Sequence, residues 1–558
     1  MDPPTAIIVG AGVGGIAIAA RLSKKGYRVT VVEKNAEVGG RCSLLHDNGY
    51  RFDQGPSLLL MPTFFHQIFH DLNTSMSAEG ITLKKCTPNY RIWYPDLSTL
   101  DLTTDLTTMK SQIESHEGPH GFESFLHFLL ESGHHHTLSC EHVLHRNFPS
   151  LWSMLRLDLL LALPSLHPFE SIYSRASKYF HSEKLRQAFT FASMYLGMSP
   201  FDAPGTYSLL QYSELVDGIW YPVGGFRTIL DALMRISMRY NTTYLMNTTV
   251  SSIELTPDQR TATGVRLADN TLLTGDIVIV NADLTYAYNN LLPKTSYGRS
   301  LTKRETSCSA ISFFWSLDTT VPTLQAHNVF LATEYKISFD AIFKRNEVPE
   351  EPSFYIHIPS KIDSSAAPEG RDAMVVLVPV GHLPSSSSLG ISAQEKEKDH
   401  QQAQDQKWNP LMNQIRTKIH SRILSSTGIN LTNHIIHEKI ETPLTWQTKY
   451  NLDSGAILGL SHSFLNVLCF RPRIQHQHIQ GLFFVGASTH PGSGVPVVLS
   501  GSGITCSLVE GEMAKKRKGR GKMMRYGLVV VMLLVLLLVP VVVLVMSRSE
   551  GLFGVDEL

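Results

Sequence analysis

Apolar and polar positions at the start of the chain fall into a strand–helix–strand order. Ala6-Ile7-Ile8-Val9 is a short continuous apolar run, Ile16 to Lys25 is alanine-rich with helical spacing, and Tyr27 to Val32 reads as a second strand. Leu58 to Leu72 predicts a helix, and Ile81 to Leu102 predicts short strands with proline-bounded turns. From Phe122 to about Leu215 the pattern is helical, with Phe122, Phe125, Leu126, Leu129 and Leu130 recurring on one face. Leu151 to Leu166 is the most apolar stretch of this part, with Arg156 and Asp158 its only charges. It is too short to span a bilayer. It reads either as a buried core helix or as a helix that lines a greasy tunnel or rests in a membrane interface.

Trp220 to Phe226 opens a new unit, followed by an amphipathic helix through Arg239. Asn247 to Leu255 reads as a strand, Val265 to Leu273 as a hairpin turning at Asp269-Asn270, and Asp276 to Val280 as a buried parallel strand. Ala310 to Leu317, Phe354 to Ile358 and Ala373 to Val380 suggest a second sheet. Between that sheet and the C-terminal part, Ser385 to Trp408 is polar and charge-rich and reads as a flexible insertion. Gly481 to Gly486 is a further strand, and Val498 to Met513 a helix.

The tail has a different pattern. Lys515-Lys516-Arg517-Lys518, Arg520, Lys522 and Arg525 form a basic block, and Gly527 to Met546 then runs without a charge. This predicts a transmembrane helix whose basic flank, with the catalytic part, stays cytosolic. The ending Val555-Asp556-Glu557-Leu558 is one residue away from a KDEL-type signal, so the expected location is the endoplasmic reticulum membrane, through a single-pass C-terminal anchor.

At 558 residues there is room for two large domains or one elaborate one, and 49 basic against 49 acidic residues leave no global field to attract nucleic acid. The six cysteines are widely spaced with no CxxC pair, which argues for reduced thiols and against a zinc site. His134, His135, His136, His142 and His145 lack metal-ligand spacing and read as a solvated or loop run; no metal is assigned. Met1 to Pro4 leads directly into the first strand, so a secretory signal peptide is not expected.

The chemistry begins with Gly10-Ala11-Gly12-Val13-Gly14-Gly15, set between the first strand and its helix. Gly10 permits the tight turn, Gly12 lets backbone approach a pyrophosphate, and Gly15 lets the helix pack closely. The helix N-terminus offers unpaired N–H groups to the phosphates, with Gly14 in its first turn. Glu33, followed by Lys34, ends the second strand where an acid accepts a ribose hydroxyl and repels a 2′-phosphate; NAD or FAD is favoured over NADP. Gly39-Gly40-Arg41 can bring backbone and a guanidinium to the same pyrophosphate.

This fingerprint with Gly39-Gly40-Arg41 resembles flavin amine oxidases and isoprenoid desaturases. Tyr221-Pro222-Val223-Gly224-Gly225-Phe226, Asn281-Ala282-Asp283 and Gly486-Ala487-Ser488-Thr489-His490-Pro491-Gly492-Ser493-Gly494-Val495-Pro496 narrow the resemblance to bacterial and fungal phytoene desaturases, from Ala6 to about Ser507. The resemblance implies FAD, with Val250 near its adenine end and Gly486, Pro491, Gly492, Val495 and Pro496 by the flavin. It implies desaturation of phytoene and partially desaturated carotene intermediates. Membrane lipid, from the basic block and the apolar tail, and an electron acceptor, quinone or oxygen, to reoxidise the flavin are the further expected partners.

The expected fold is α/β. A discontinuous Rossmann-like FAD-binding domain takes residues 1–115, 216–300 and 444–513, and a mixed sheet-plus-helix substrate domain takes 116–215 and 301–443, including the insertion 385–408. A basic linker (514–526), a transmembrane helix (527–546) and a short tail (547–558) follow. Asp158, whose pKa burial would raise, and His490 are the candidate proton acceptors, although Arg156 and Asp158 point to different sides of a helix. The alternatives are a carotenoid isomerase or retinol saturase, an amine oxidase, and a prenyl-protein chaperone that does no redox chemistry.

Overall fold

Five parallel strands form the sheet that carries the glycine turn. Their spatial order is Leu482–Phe484, Ile277–Val280, Thr5–Val9, Arg28–Val32 and Thr243–Leu245. Thr5–Val9 sits at the centre, with Val9 opposite both Val280 and Val32. This is a computed structural model, and it describes residues 2–384 and 396–518. The central strands are apolar on both faces because helices cover them, as parallel sheets require. Ile7, Ile8 and Val9 are all buried, each side chain contributing roughly 1.5–3 kcal/mol. The helix Val13–Lys24 packs beside the helix Arg227–Arg239, whose buried residues Ile229, Leu230, Leu233 and Ile236 recur at helical spacing.

A three-stranded antiparallel sheet, Val250–Leu255, Ala262–Leu267 and Leu272–Thr274, closes one side of this layer and contains the expected hairpin, with Asn270 in the left-handed region at its turn. The second large sheet has seven strands in the order Ile435–Glu441, Ser309–Leu317, Ala373–Val380, Phe354–His357, His327–Phe330, Tyr90–Trp93 and Thr99–Leu102. The last two strands come from the segment that the sequence assigns to the flavin domain. Trp93, Phe330 and Phe354 stack in succession at 5.3 and 4.7 Å between ring centres, and tie those strands to the later ones.

Several expectations need correction. Leu151 to Leu166 is not a buried core helix: it breaks into Leu151–Met154, Leu157–Ala162 and Leu163–Leu166, and exposes Trp152 (81%), Leu157 (72%) and Leu161 (71%). The histidine run is not a loop. His134 to His136 lie in the helix Gly121–Ser139, and His135 is buried, its ring nitrogens 2.8 Å from Ser208 Oγ and 2.8 Å from the Ser165 carbonyl. The insertion 385–408 is helical from Lys396, in the helix Lys396–Thr427, and its residues 385–395 lie outside the described residues.

The C-terminal transmembrane helix, and with it the single-pass anchoring in the endoplasmic reticulum membrane, is also corrected. Among the described residues no helix is long and apolar enough to cross a membrane, and 527–546 lies outside them. Residues from Met1 to Cys506 form one compact unit; the second begins at Ser507, and its described part is the end of the helix Val495–Lys518.

Candidate functional site

The first strand delivers its chain into the turn at Gly10, whose φ of +97° suits a residue without a side chain. A Cβ on Gly15 would stand 2.0 Å from the Gly10 carbonyl, so only glycine lets the helix start this close to the strand end. The helix Val13–Lys24 has no side-chain cap and no acid in its first turn, and Gly12, Val13 and Gly14 line a cavity. Its first N–H groups therefore face that cavity with the positive end of the helix dipole. Glu33 is buried at the end of the second strand. Its Oε2 accepts the Ala11 N–H at 2.7 Å, and its Oε1 accepts the Asn35 N–H at 2.9 Å.

The Gly39-Gly40-Arg41 turn lies alongside. The Gly39 N–H donates to the Ala11 carbonyl at 2.7 Å, and Gly12 pairs with Gly39 as an isolated parallel bridge. Arg41 donates to the Ile457 carbonyl and lines the cavity with Asp283; burial lowers the guanidinium pKa while Asp283 opposes that shift. Lys34 reaches the Thr448 carbonyl at 2.9 Å and Asn451 Oδ1 at 2.8 Å, its pKa lowered by burial against the pull of Glu33. Val250 lines the same end.

The C-terminal loop supplies more of the lining and comes up against the glycine turn, where a Cβ on Gly14 would stand 3.1 Å from Val485 and 3.2 Å from Val498. Gly486, Val495 and Pro496 line the cavity, whereas Pro491 and Gly492 stand behind its surface, where the Ser493 N–H donates to His462 Nε2 at 3.1 Å. The buried Arg471 holds this loop from the rear. It donates to the carbonyls of Thr489 (3.1 Å), Ser461 (3.0 Å), Asn466 (2.7 Å), Leu460 (3.2 Å) and Ala487 (2.6 Å), and burial lowers its pKa to about 10.

The two candidate proton acceptors are not on the cavity lining. His490 is buried and donates through Nε2 to the Arg146 carbonyl at 2.6 Å; burial, reinforced by Arg471, drops its pKa to about 3. Asp158 sits at the part-exposed surface, paired with Arg156, Arg146 and His142, and the hydrogen bond from Arg156 lowers its pKa. The upward pull of burial is outweighed, so the expected rise does not occur.

The cavity holds about 470 Å³ and is continuous between two kinds of wall. Its polar lining includes the glycine turn, Glu33 and Arg41, and its apolar lining includes Leu58, Leu60, Met61, Phe191, Met194 and Leu210. Asn281 and Asp283, from the polar turn after the buried strand Ile277–Val280, also line it, as do Gln54 and Tyr450, whose hydroxyl donates to Gln54 Oε1 at 2.7 Å. For Asn281 and Asp283, their place in a short polar turn after an apolar run was the available signal; Tyr450 ends the helix Pro443–Tyr450 and carries no such signal. The uncapped helix start, the buried acid at the strand end and the arginine fit the phosphates and ribose of a dinucleotide.

A family model for flavin-containing amine oxidoreductases matches residues 13–382, and the chain belongs to that family. An oxidoreductase from Methanosarcina mazei shares the fold, with a TM-score of 0.59 at 15% identity over 91% of this chain and 100% of its own. The phytoene desaturase of Fusarium fujikuroi is 56% identical over 506 residues, 90% of this chain and 88% of its own. That of Neurospora crassa is 51% identical over 519 residues, 91% of this chain and 84% of its own. Within the flavin oxidoreductases this chain is thus one of the phytoene desaturases, and its cofactor is FAD.

Proposed function

We infer that phytoene and its partly desaturated products occupy the apolar end of the cavity in turn, and that repeated dehydrogenation carries them towards lycopene or a more desaturated carotene. The chain is an FAD-dependent carotenoid oxidoreductase that desaturates phytoene. One observation carries the extension to repeated steps: a single cavity joins the dinucleotide turn to a wall of Leu58, Leu60, Met61, Phe191, Met194 and Leu210.

Bound flavin supplies a hydride acceptor at N5. The apolar wall excludes water and aligns a CH₂–CH₂ unit with it, which converts an encounter into an oriented reaction. A hydrocarbon offers no polar handle, and such walls discriminate weakly between one carbon and the next. A product longer in conjugation is therefore accepted again. Arg41 and the helix N-terminus hold the pyrophosphate, while Glu33 orients the ribose.

Two partners complete the reading. Oxygen or a quinone reoxidises the flavin. Lipid meets the exposed apolar residues Leu151, Trp152, Leu157, Leu161 and Phe169, the last packed at 5.1 Å on Phe464 beside exposed Leu465, a patch of the kind that marks an interaction surface.

The test is anaerobic incubation of the purified flavoprotein with phytoene in liposomes, following flavin bleaching together with product absorption. Bleaching with a stepwise shift of product absorption to longer wavelength is the expected result. An isomerised but equally saturated product would instead favour the isomerase reading. Oxygen and a quinone, added separately, identify the acceptor by the return of the yellow colour.

A further inference from the structure

The hydride leaves a second hydrogen to be removed as a proton, and neither Asp158 nor His490 lies on the cavity wall. We propose that Tyr195 and Glu214 are the proton-accepting pair, Tyr195 taking the proton from the substrate carbon and passing its own to Glu214.

Tyr195 lines the cavity beside Phe191, Met194 and Leu210, at the end where the hydrocarbon lies. Its hydroxyl is buried and makes no hydrogen bond that meets normal geometry. A buried phenol left this way costs stability, and a catalytic role is one explanation for keeping it. Tyr355, another phenol of the cavity lining, is by contrast occupied: Ser57 Oγ lies 2.8 Å from its oxygen and His327 Nδ1 lies 2.7 Å from it.

Behind Tyr195 stands Glu214, wholly buried in the π-helical turn Ser213–Asp217. Asn89 Nδ2 fixes its backbone carbonyl, and Tyr90 donates to Oε2 at 2.9 Å. The second oxygen, Oε1, is buried and unpartnered. Tyr195 and Glu214 are close enough for each to shift the other's titration, and Tyr90 and Tyr195 are the groups that act on the carboxyl. Burial raises it to about 8 against the pull of those two phenols. A carboxylate with that basicity and no cation beside it is a competent acceptor near neutral pH.

The balance closes. One C–H bond breaks and its electron pair leaves as hydride to the flavin. The neighbouring C–H bond breaks and its pair becomes the new C=C bond. The released proton joins the Tyr195 oxygen as the phenol proton moves to Glu214 Oε1. Tyr195 touches the substrate, and Glu214 acts through it.

This inference rests on the desaturase reading, so wild-type holoenzyme with phytoene is the control; failure of wild-type bleaching would sink that reading and not this pair. Single-turnover bleaching is measured for wild type, Glu214→Gln and Tyr195→Phe at equal flavin content. Both variants are expected to slow about 10²-fold, the lower range for a positioned acid–base group. The wild-type rate is expected to rise with pH through about 8, as Glu214 ionises, and this rise should vanish in Glu214→Gln. Infrared titration without substrate gives an independent readout: a buried protonated-carboxyl band lost through about pH 8 in wild type and missing from Glu214→Gln. Wild-type bleaching rates in either variant, or no such band in wild type, would overturn the proposal. Should Glu214→Gln not fold, Tyr195→Phe, which keeps its ring, decides alone.

Discussion

The Tyr221 hydroxyl donates to Asp53 at 2.5 Å, and the other oxygen of Asp53 accepts the Phe226 N–H at 2.8 Å. A single buried carboxylate thus joins the Asp53-Gln54-Gly55-Pro56 loop to the Tyr221-Pro222-Val223-Gly224-Gly225 segment. Tyr221→Phe removes one charge-assisted bond and leaves the carboxylate half-satisfied. The expected cost is about 1.5–3 kcal/mol in urea-unfolding stability; a variant as stable as wild type would show the link to be energetically idle.

Gly15→Ala tests the close approach at the turn. The added methyl meets the Gly10 carbonyl at 2.0 Å, so the helix must retreat from the strand end. Flavin affinity, titrated by visible absorbance on the stripped protein, should fall at least about tenfold, or ~1.4 kcal/mol.

Arg471 braces the loop at residues 486–496, and among the described residues it has no carboxylate partner. Arg471→Met strips donors from five buried carbonyls and should lower stability by roughly 3 kcal/mol or more, with Arg471→Lys recovering part of it. Thermal unfolding of the two variants side by side reads the difference.

Acid sensitivity should be traceable to Asp363. Burial alone would raise its pKa, but bonds from the Gly224 N–H, Ser365 and Arg51 outweigh it and bring the carboxyl down to about 2. A folded-state pKa below the unfolded one stabilises the protein above the unfolded value and loses that contribution as pH falls through the folded one. The loss should run from about pH 5 to about pH 2. Stability measured across this window should fall less steeply in Asp363→Asn.

Asp158→Asn should leave single-turnover flavin reduction at the wild-type rate, because the carboxylate is held by Arg156 and Arg146 at the part-exposed surface. A large slowing would place substrate there and contradict the position of the cavity.

The glycine turn, its helix and Glu33 are readable from sequence because each obeys a local rule of spacing and residue type. Arg471 is not: its five acceptors come from segments that only tertiary folding brings together. Tyr195 and Glu214 are silent for the same reason, since burial and a missing hydrogen bond distinguish them from any other tyrosine and glutamate. Leu151 to Leu166 misleads because hydropathy records that a stretch is oily, not which way it faces. Tyr90–Trp93, and through it Thr99–Leu102, joins the second sheet because Tyr90–Trp93 pairs with His327–Phe330 more than two hundred residues away, which no local pattern records.

The cavity lining draws on both extremes of the compact unit, residues 9–61 and 485–498, and Leu482–Phe484 is the last strand in chain order of the central sheet among the described residues. A nascent chain emerging from the ribosome carries the phosphate turn almost from the outset but has nothing to close over it. Cofactor capture must therefore await release of nearly the whole polypeptide, and a message broken shortly before codon 482 would yield a colourless product despite an intact fingerprint.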